Sequence, residues 1–139
     1  MLAKRQPLRF ASARPDAPPH VVPVWHVHEP DEDAIYFETD AESVKVRYVE
    51  ETGYAAGVAD AGNSYSTLRG VLVRGEAEVI EDEAERAPIM QGVMEKFVDG
   101  ELPDFVEQRY EEVERVGVRL AMDDVTTWDF RKVLGGTEG

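Results

Sequence analysis

One short segment of the chain carries three residues that can bind an anion at alternating positions. Ser43, Lys45 and Arg47 occupy every second position near the end of residues 35–49. Side chains two residues apart on an extended strand share one face, so a strand here would point a hydroxyl, an ammonium and a guanidinium in the same direction. The rest of the chain is strongly acidic, with 29 acidic and 15 basic residues, so this face would be a local anion site. The segment predicts a phosphate-binding site.

The same segment also fits a short helix over residues 43–49, and this alternative stays open. In a helix, Ser43 and Arg47 would still share a face at i, i+4, while Lys45 would turn away. The anion site is therefore best defined if the segment is extended.

Length and composition limit the possible classes of protein. We expect one domain over residues 1–139, with loose ends at residues 1–7 and 134–139, because this length fits one core. No cysteine occurs, which excludes disulfide and thiolate metal sites and is typical of a reducing cytoplasm. The sequence shows neither a signal-like apolar segment nor a membrane-spanning run. We expect a soluble cytoplasmic protein.

The net charge of −14 argues against nucleic-acid and anionic membrane partners, which are bound through many Lys and Arg residues. Only four of the 15 basic residues are Lys. This composition suggests adaptation to a salt-rich cytoplasm, because salt screens the repulsion between acidic groups.

Apolar alternation and turn residues predict a mainly β fold with inserted helices. Gly70 and Gly75 interrupt the longest strand, which favours a bent or closed sheet with close backbone approaches. Trp25 and Trp128 are expected to be core aromatics. The predicted strands are residues 8–14, 21–28, 34–39, 54–59, 66–80, 116–120 and 125–130, and the predicted helices are residues 82–98 and a second helix around residues 105–113.

The histidines offer little support for a metal or catalytic site. His26 and His28, at i, i+2 on the presumed strand, would point the same way. Two His without a defined third ligand are a weak metal signal, so we predict no metal. No Gly-x-Ser-x-Gly elbow, Walker loop or dinucleotide fingerprint occurs, and no catalytic residue is assigned.

Several motifs follow one another in a familiar order. They are Pro-His-Val-Val-Pro-Val-Trp at 19–25, Ile-Tyr-Phe-Glu-Thr at 35–39, Ser-x-Lys-x-Arg at 43–47, Leu-Arg-Gly-Val-Leu-Val-Arg-Gly-Glu-Ala-Glu-Val-Ile-Glu-Asp at 68–82, and Thr-Thr-Trp-Asp at 126–129. This order resembles the pyridoxamine 5′-phosphate oxidase-like FMN-binding split-barrel family, over nearly the whole chain from Leu8 to Val133.

The resemblance implies a six-stranded antiparallel split β-barrel with peripheral helices. It also implies a homodimer with two FMN sites at the interface, built from both chains. When the positions of the family are matched residue by residue, the resemblance implies that Thr39, Ser43, Lys45 and Arg47 bind the phosphate. It implies that the backbone of Val22, Pro23 and Val24 lines the isoalloxazine ring. It also implies that Trp128 is the aromatic residue near the closing strand that approaches the cofactor.

The function implied by the resemblance is that of an FMN-dependent oxidoreductase with an unknown small-molecule substrate. The sequence departs from the family at Tyr48, where many relatives have Asn, and it lacks the Arg- and His-bearing segment that pyridoxamine phosphate oxidases have after the position of Trp128. We therefore expect a substrate other than pyridoxamine phosphate. Two alternatives are a reductase that uses the deazaflavin F420 and a non-enzymatic flavin or haem module, with His20, His26 or His28 as the haem ligand.

Overall fold

The computed structural model describes residues 1–135, with the side chains of all of these except residues 110 and 133–135. The described part of the chain is mainly antiparallel β-sheet with helices at its periphery, which confirms the predicted class. It contains eight strands rather than the six that the resemblance implies. The strands are β1 (Leu8–Ser12), β2 (His20–Val24), β3 (Val27–Glu29), β4 (Ala34–Asp40), β5 (Tyr54–Ala61), β6 (Arg69–Ile80), β7 (Arg115–Ala121) and β8 (Asp124–Asp129), and the helices are α1 (Val44–Thr52), α2 (Glu83–Phe97), α3 (Asp104–Glu112) and α4 (Phe130–Gly135).

The sheet curls because its two ends are joined by a very short link. The strand order is β2-β1-β5-β6-β7-β4-β3, so β2 and β3 lie at opposite ends. The single strand predicted over residues 21–28 is wrong, because Trp25 and His26 separate β2 from β3. A link of this length spans at most about 11 Å, so the ends of the sheet must come close together. The result is a barrel that is split between β2 and β3.

Strand β6 is where the sheet divides. Its residues 69–74 pair with β8, and its residues 77–80 pair with β7. Gly75 lies at the change of partner, and a Cβ there would be 2.1 Å from the carbonyl oxygen of Ala121. A close backbone approach was expected at Gly75, and it is present. The end of β7 passes so close to Gly75 that a side chain would not fit there.

The core lies inside the curl. Phe10 of β1 and Phe37 of β4 are fully buried and meet edge to face, with ring centroids 4.7 Å apart. Each buried aromatic of this size contributes about 2 to 3 kcal/mol of transfer free energy. Helix α2 packs against β3, β4 and β7 through Ile89 and Val93. The core and α2 together hold β4 in place, and β4 supplies part of the site.

Residues 1–7 were expected to be loose, but several of them pack against the rest of the protein. Leu2 is 7% exposed and belongs to the core. Its carbonyl oxygen accepts a hydrogen bond from the ammonium of Lys96, and Arg5 forms an ion pair with Asp99. The tail predicted to be loose at residues 134–139 lies, beyond residue 135, outside the described residues. None of the helices in the described part of the chain has the length and apolar character needed to span a membrane.

Candidate functional site

The segment with Ser43, Lys45 and Arg47 is helical, so the extended interpretation is wrong. Helix α1 begins directly after Ser43, whose own backbone is extended. Val46 and Val49, three residues apart, are each 2% exposed and pack into the core. Buried positions three residues apart are typical of one face of a helix. The β-branched residues that favoured a strand are used here as the apolar face of α1.

The helix separates the three predicted anion-binding side chains. Lys45 is half-buried and faces a pocket, whereas Arg47 is exposed and donates a 3.5 Å hydrogen bond to the carbonyl oxygen of Glu42. The hydroxyl of Ser43 is buried and, among the described residues, has no hydrogen-bond partner. The helical alternative expected Lys45 to turn away from the site. The structure instead makes Lys45 the member of this group that lies at the pocket.

The pocket has a volume of about 360 Å³ and lies between the end of β2, β4, α1 and α2. It is large enough for a cofactor-sized ligand to enter in part. Four of the residues named as site candidates from the sequence line it, namely Pro23, Val24, Thr39 and Lys45. The lining consists of Pro23, Val24, Trp25, Glu38, Thr39, Lys45, Met90, Val93 and Arg115.

The ammonium of Lys45 is available to a ligand. Within the described part of the chain it forms no hydrogen bond and no salt bridge within 4.0 Å. Burial lowers the pKa of Lys45 below its usual value. The two nearby charges have smaller effects: the carboxylate of Asp40 raises this pKa, and the guanidinium of Arg115 lowers it. A half-buried cation without a close partner is unfavourable. An anion bound in the pocket would offset that cost.

The acidic side chains near Lys45 are neutralised by arginines. Arg115 donates a 2.8 Å hydrogen bond from Nε to Glu38 and a 3.1 Å hydrogen bond from Nη1 to Asp40. Arg86 lies 3.6 Å from Glu38, and Arg109 donates a 3.0 Å hydrogen bond to Asp40. Glu38 and Arg115 are mostly buried, so removal of one partner would leave an uncompensated charge. This network positions β4 and β7 and leaves Lys45 to the pocket.

Two further groups near Lys45 suit a phosphate. Thr39 is 8% exposed, and its hydroxyl forms no hydrogen bond with another described residue. The N–H groups in the first turn of α1 have no acceptor within the helix, and the helix dipole is positive there. An ammonium, a hydroxyl and a helix N-terminus are complementary to a phosphate dianion.

Strand β2 supplies the other wall of the pocket. It pairs only with β1, so along its other edge the backbone groups are unpaired within the described sheet. Pro23 lacks an N–H group, which fits an edge position. Pro23 and Val24 line the pocket, whereas Val22 lies opposite Phe10 of β1 and does not. An edge of this kind can lie along a flat ligand and hydrogen-bond its polar rim.

Trp128 is not brought to this pocket within one chain. It lies on β8 opposite Gly70 of β6, and a Cβ on Gly70 would be 2.5 Å from the indole ring. β8 pairs with β6 rather than with the strands at the pocket. Cofactor contacts by Trp128, and likewise by Val22, Ser43 and Arg47, stay predictions.

The histidines do not form the pair that their spacing suggested. His26 lies in the link between β2 and β3, fully buried, with Nε2 3.2 Å from the ammonium of Lys96. Burial, and after it the charge of Lys96, together lower the pKa of His26 from 6.5 to about 4. His28 lies in β3, in a different element. The described residues contain no cluster of three or more potential His, Cys, Asp or Glu metal ligands.

Five of the nine lining residues were not predicted as site residues, namely Met90 and Val93 of α2 and the more polar or aromatic Trp25, Glu38 and Arg115. Trp25 was expected in the core, but it is 43% exposed and lines the pocket. Glu38 and Arg115 come from strands paired in register near Asp40, and nothing in their local sequence marks them. The position of Trp25, directly after the strand predicted to line the ring, could have marked it as a site residue.

The curled antiparallel barrel with a pocket beside the edge of β2 defines a split-barrel protein. The family model for pyridoxamine 5′-phosphate oxidase matches residues 1–128. The chain therefore belongs to the pyridoxamine 5′-phosphate oxidase family, as its motifs indicated.

Solved structures share this fold. The conserved hypothetical protein Rv2991 from Mycobacterium tuberculosis is 27% identical, with a TM-score of 0.78, over 94% of this chain and 81% of that chain. An F420 reductase is 18% identical, with a TM-score of 0.67, over 90% of this chain and 92% of that chain. A pyridoxamine 5′-phosphate oxidase-related, FMN-binding protein from Nostoc punctiforme is 16% identical, with a TM-score of 0.66, over 91% and 75% of the two chains. A search of the curated proteins found no match.

Proposed function

We propose that the protein binds FMN in the pocket beside β2 and acts as an oxidoreductase on a small molecule. The observation that carries the proposal is Lys45, a half-buried cation without a close partner, next to the free hydroxyl of Thr39. In this arrangement Lys45, Thr39 and the first turn of α1 bind the phosphate, and the edge of β2 at Pro23 and Val24 lies along the ring.

The bound flavin would supply hydride or electron transfer, which no side chain at the pocket can provide. The chain itself binds and orients. The Glu38–Arg115–Asp40 network fixes the strand that carries Thr39, and Lys45 supplies positive charge. No residue at the pocket is assigned a proton-transfer role.

A second candidate is use of F420 in place of FMN. It is supported by the F420 reductase, whose fold this chain shares over 90% of its length. The tail of F420 also carries a phosphate, so Lys45 and Thr39 suit either cofactor. The haem alternative is not proposed, because His26 is fully buried against Lys96 and none of the described histidines, His20, His26 and His28, lines the pocket.

The proposal is tested by the visible spectrum of the purified protein after dialysis, and after titration with FMN and with F420. A flavin spectrum near one equivalent per chain supports FMN. Saturable binding of F420 with no binding of FMN supports the second candidate. Binding of neither cofactor would contradict both. Oxidation of reduced nicotinamide by the loaded protein, with an added acceptor, then tests for enzymatic activity.

We also propose that the protein is a homodimer, as the family resemblance implies. The pairing surface would be the face of β2, β1, β5 and β6 that points away from the core. Val58 and Leu72 lie opposite each other on this face, and Val21 at its edge is 59% exposed. Beside this face, Ala11, Pro15, Pro19, Tyr54 and Ala56 are among the residues that line an apolar hollow of about 540 Å³. Apolar sheet surface of this kind is typical of a protein interface.

Sedimentation velocity tests the dimer. We expect a mass of twice the 15.6 kDa of one chain and a shift to the single-chain mass in Leu72→Arg. Gln91→Arg, which adds the same single positive charge at an exposed position of α2, is the control and should stay dimeric. A wild-type protein that sediments as one chain would contradict the proposal.

A further inference from the structure

Trp25 is a large aromatic side chain in an unusual position. It follows β2 directly, in the link that closes the barrel, and it is 43% exposed while lining the same pocket as Lys45. The site described above gives it no role. Tryptophan offers a broad apolar surface for stacking, and an exposed indole in a ligand pocket suggests such a contact.

The indole of Trp25 is held in place from one side. It stacks on the ring of Phe97, with centroids 5.4 Å apart and planes only 7° from parallel. Phe97 in turn contacts His26 at 5.9 Å between centroids, and the ammonium of Lys96 lies 5.1 Å from the Phe97 ring centroid. Since His26 is fully buried, this stack rests on a fixed base. Phe97 covers one face of the indole, so its exposed area includes the other face.

The pocket therefore has two kinds of recognition group. Lys45 and Thr39 provide charge and a hydroxyl, which suit a phosphate. Trp25 and the adjoining edge of β2 provide a flat aromatic and a row of backbone groups, which suit a planar heteroaromatic ring. A ligand with both parts, joined by a flexible chain, satisfies both ends.

We propose that Trp25 binds the planar ring of the phosphorylated cofactor by stacking, and so positions the ring for reaction. This inference rests on the proposed function and adds the residue that recognises the ring. Stacking of a heteroaromatic base on a protein aromatic contributes about 1 to 3 kcal/mol, which corresponds to about 5- to 150-fold in affinity. Because Phe97 already fixes the indole, little conformational entropy is lost on binding.

The test compares FMN with riboflavin, which has the ring but lacks the phosphate, and uses inorganic phosphate as a competitor. We expect Trp25→Leu to weaken binding of both flavins by a similar factor, about 5-fold or more, because each loses the same ring contact. Inorganic phosphate competes for the Lys45 end of the pocket only, so we expect it to weaken FMN binding with the same inhibition constant in the wild type and in Trp25→Leu, and to leave riboflavin binding unchanged in both. Phe105→Leu, which removes a 74% exposed aromatic from α3, is the control and should bind both flavins like the wild type.

A second variant keeps the test valid if Trp25→Leu folds poorly. Trp25→Phe retains a ring and should restore most of the affinity. It should also raise the fluorescence of the bound flavin, because indole donates an electron to an excited flavin more readily than a phenyl ring does.

Wild-type affinity of Trp25→Leu for both flavins would overturn the inference while leaving the proposed function intact. So would a loss in Trp25→Phe as large as that in Trp25→Leu, or a loss for FMN without a loss for riboflavin. If the wild-type protein binds neither flavin nor F420, this inference and both candidate functions fail together.

Discussion

Removal of the Lys45 charge is the most direct test of the phosphate site. Lys45→Met keeps the apolar stem and removes the ammonium, so the packing of α1 is preserved. A charge-assisted hydrogen bond contributes about 1.5 to 3 kcal/mol. Since Lys45 is only half-buried, solvent screening favours the lower part of that range, about 1.5 to 2 kcal/mol. The expected loss in FMN affinity is about 10- to 30-fold.

The assay is titration of FMN and of riboflavin, followed by flavin fluorescence and checked by equilibrium dialysis. Riboflavin has no phosphate, so its affinity should be nearly unchanged in Lys45→Met. FMN binding by the wild type should also weaken as salt rises, and this dependence should be smaller in the variant. Lys4→Met removes the same charge from an exposed position and serves as the control.

Arg47→Met tests whether the phosphate is bound by Lys45 without Arg47, as the pocket indicates, or by both residues, as alternation along a strand predicted. Arg47 is exposed and does not line the pocket, so its loss should cost less FMN affinity than the loss of Lys45. Unchanged FMN affinity in Lys45→Met would refute the phosphate assignment. An equal loss for riboflavin would show that Lys45 acts on the fold or the ring and not on the phosphate.

Four further predictions concern stability, each measured by urea unfolding. Gly75→Ala should destabilise the fold by about 3 kcal/mol, because its Cβ would lie 2.1 Å from the carbonyl oxygen of Ala121. Gly53→Ala, at φ +74 with open space around it, should destabilise the fold by about 1 kcal/mol. Equal losses of stability in the two variants would contradict the close approach at Gly75. Burial, aided by the charge of Lys96, lowers the pKa of His26 from 6.5 to about 4, so the unfolded chain binds more protons between these values and stability should fall by up to about 3 kcal/mol as the pH drops through them. Burial likewise lowers the pKa of Lys96 from 10.5 to about 8, so stability should rise between pH 8 and 10.5. His26→Gln should abolish the fall in stability at acidic pH, and Lys96→Met should abolish the rise between pH 8 and 10.5. Persistence of either trend in its variant would contradict the assignment. The net charge of −14 predicts greater stability in molar salt than at low ionic strength, and equal stability would count against adaptation to salt.

The local elements were largely predictable, because they depend on short-range patterns. Alternation over residues 66–80 marked β6, and the change to helical spacing from residue 82 marked α2. The segment after Ser43 was ambiguous, because Val44, Val46 and Val49 favour a strand by type and a helix by spacing. Packing of Val46 and Val49 into the core decided for the helix, and this contact is made with strands distant in sequence.

The break at Trp25 and His26 could not be predicted from the local pattern. Residues 21–28 were predicted as one strand, but β2 pairs with β1 and β3 pairs with β4, at opposite ends of the sheet. The curl of the whole barrel forces the chain to leave one end and join the other. The same curl exposes Trp25 at the pocket and buries His26.

The sequence by itself determined the mainly β class, most strands and helices, the family, and the identity of Lys45, Thr39, Pro23 and Val24 as site candidates. The class, the elements and Lys45 follow from residue types and periodicities that hold over a few positions, whereas the family and the candidates Thr39, Pro23 and Val24 follow from the order of motifs that resembles the pyridoxamine 5′-phosphate oxidase family. Only the tertiary structure decided that Lys45 and not Arg47 lies at the pocket, that Arg115 neutralises Glu38 and Asp40, and that Trp25 stacks on Phe97. These contacts join residues from distant parts of the chain, and their geometry is set by how the sheet closes.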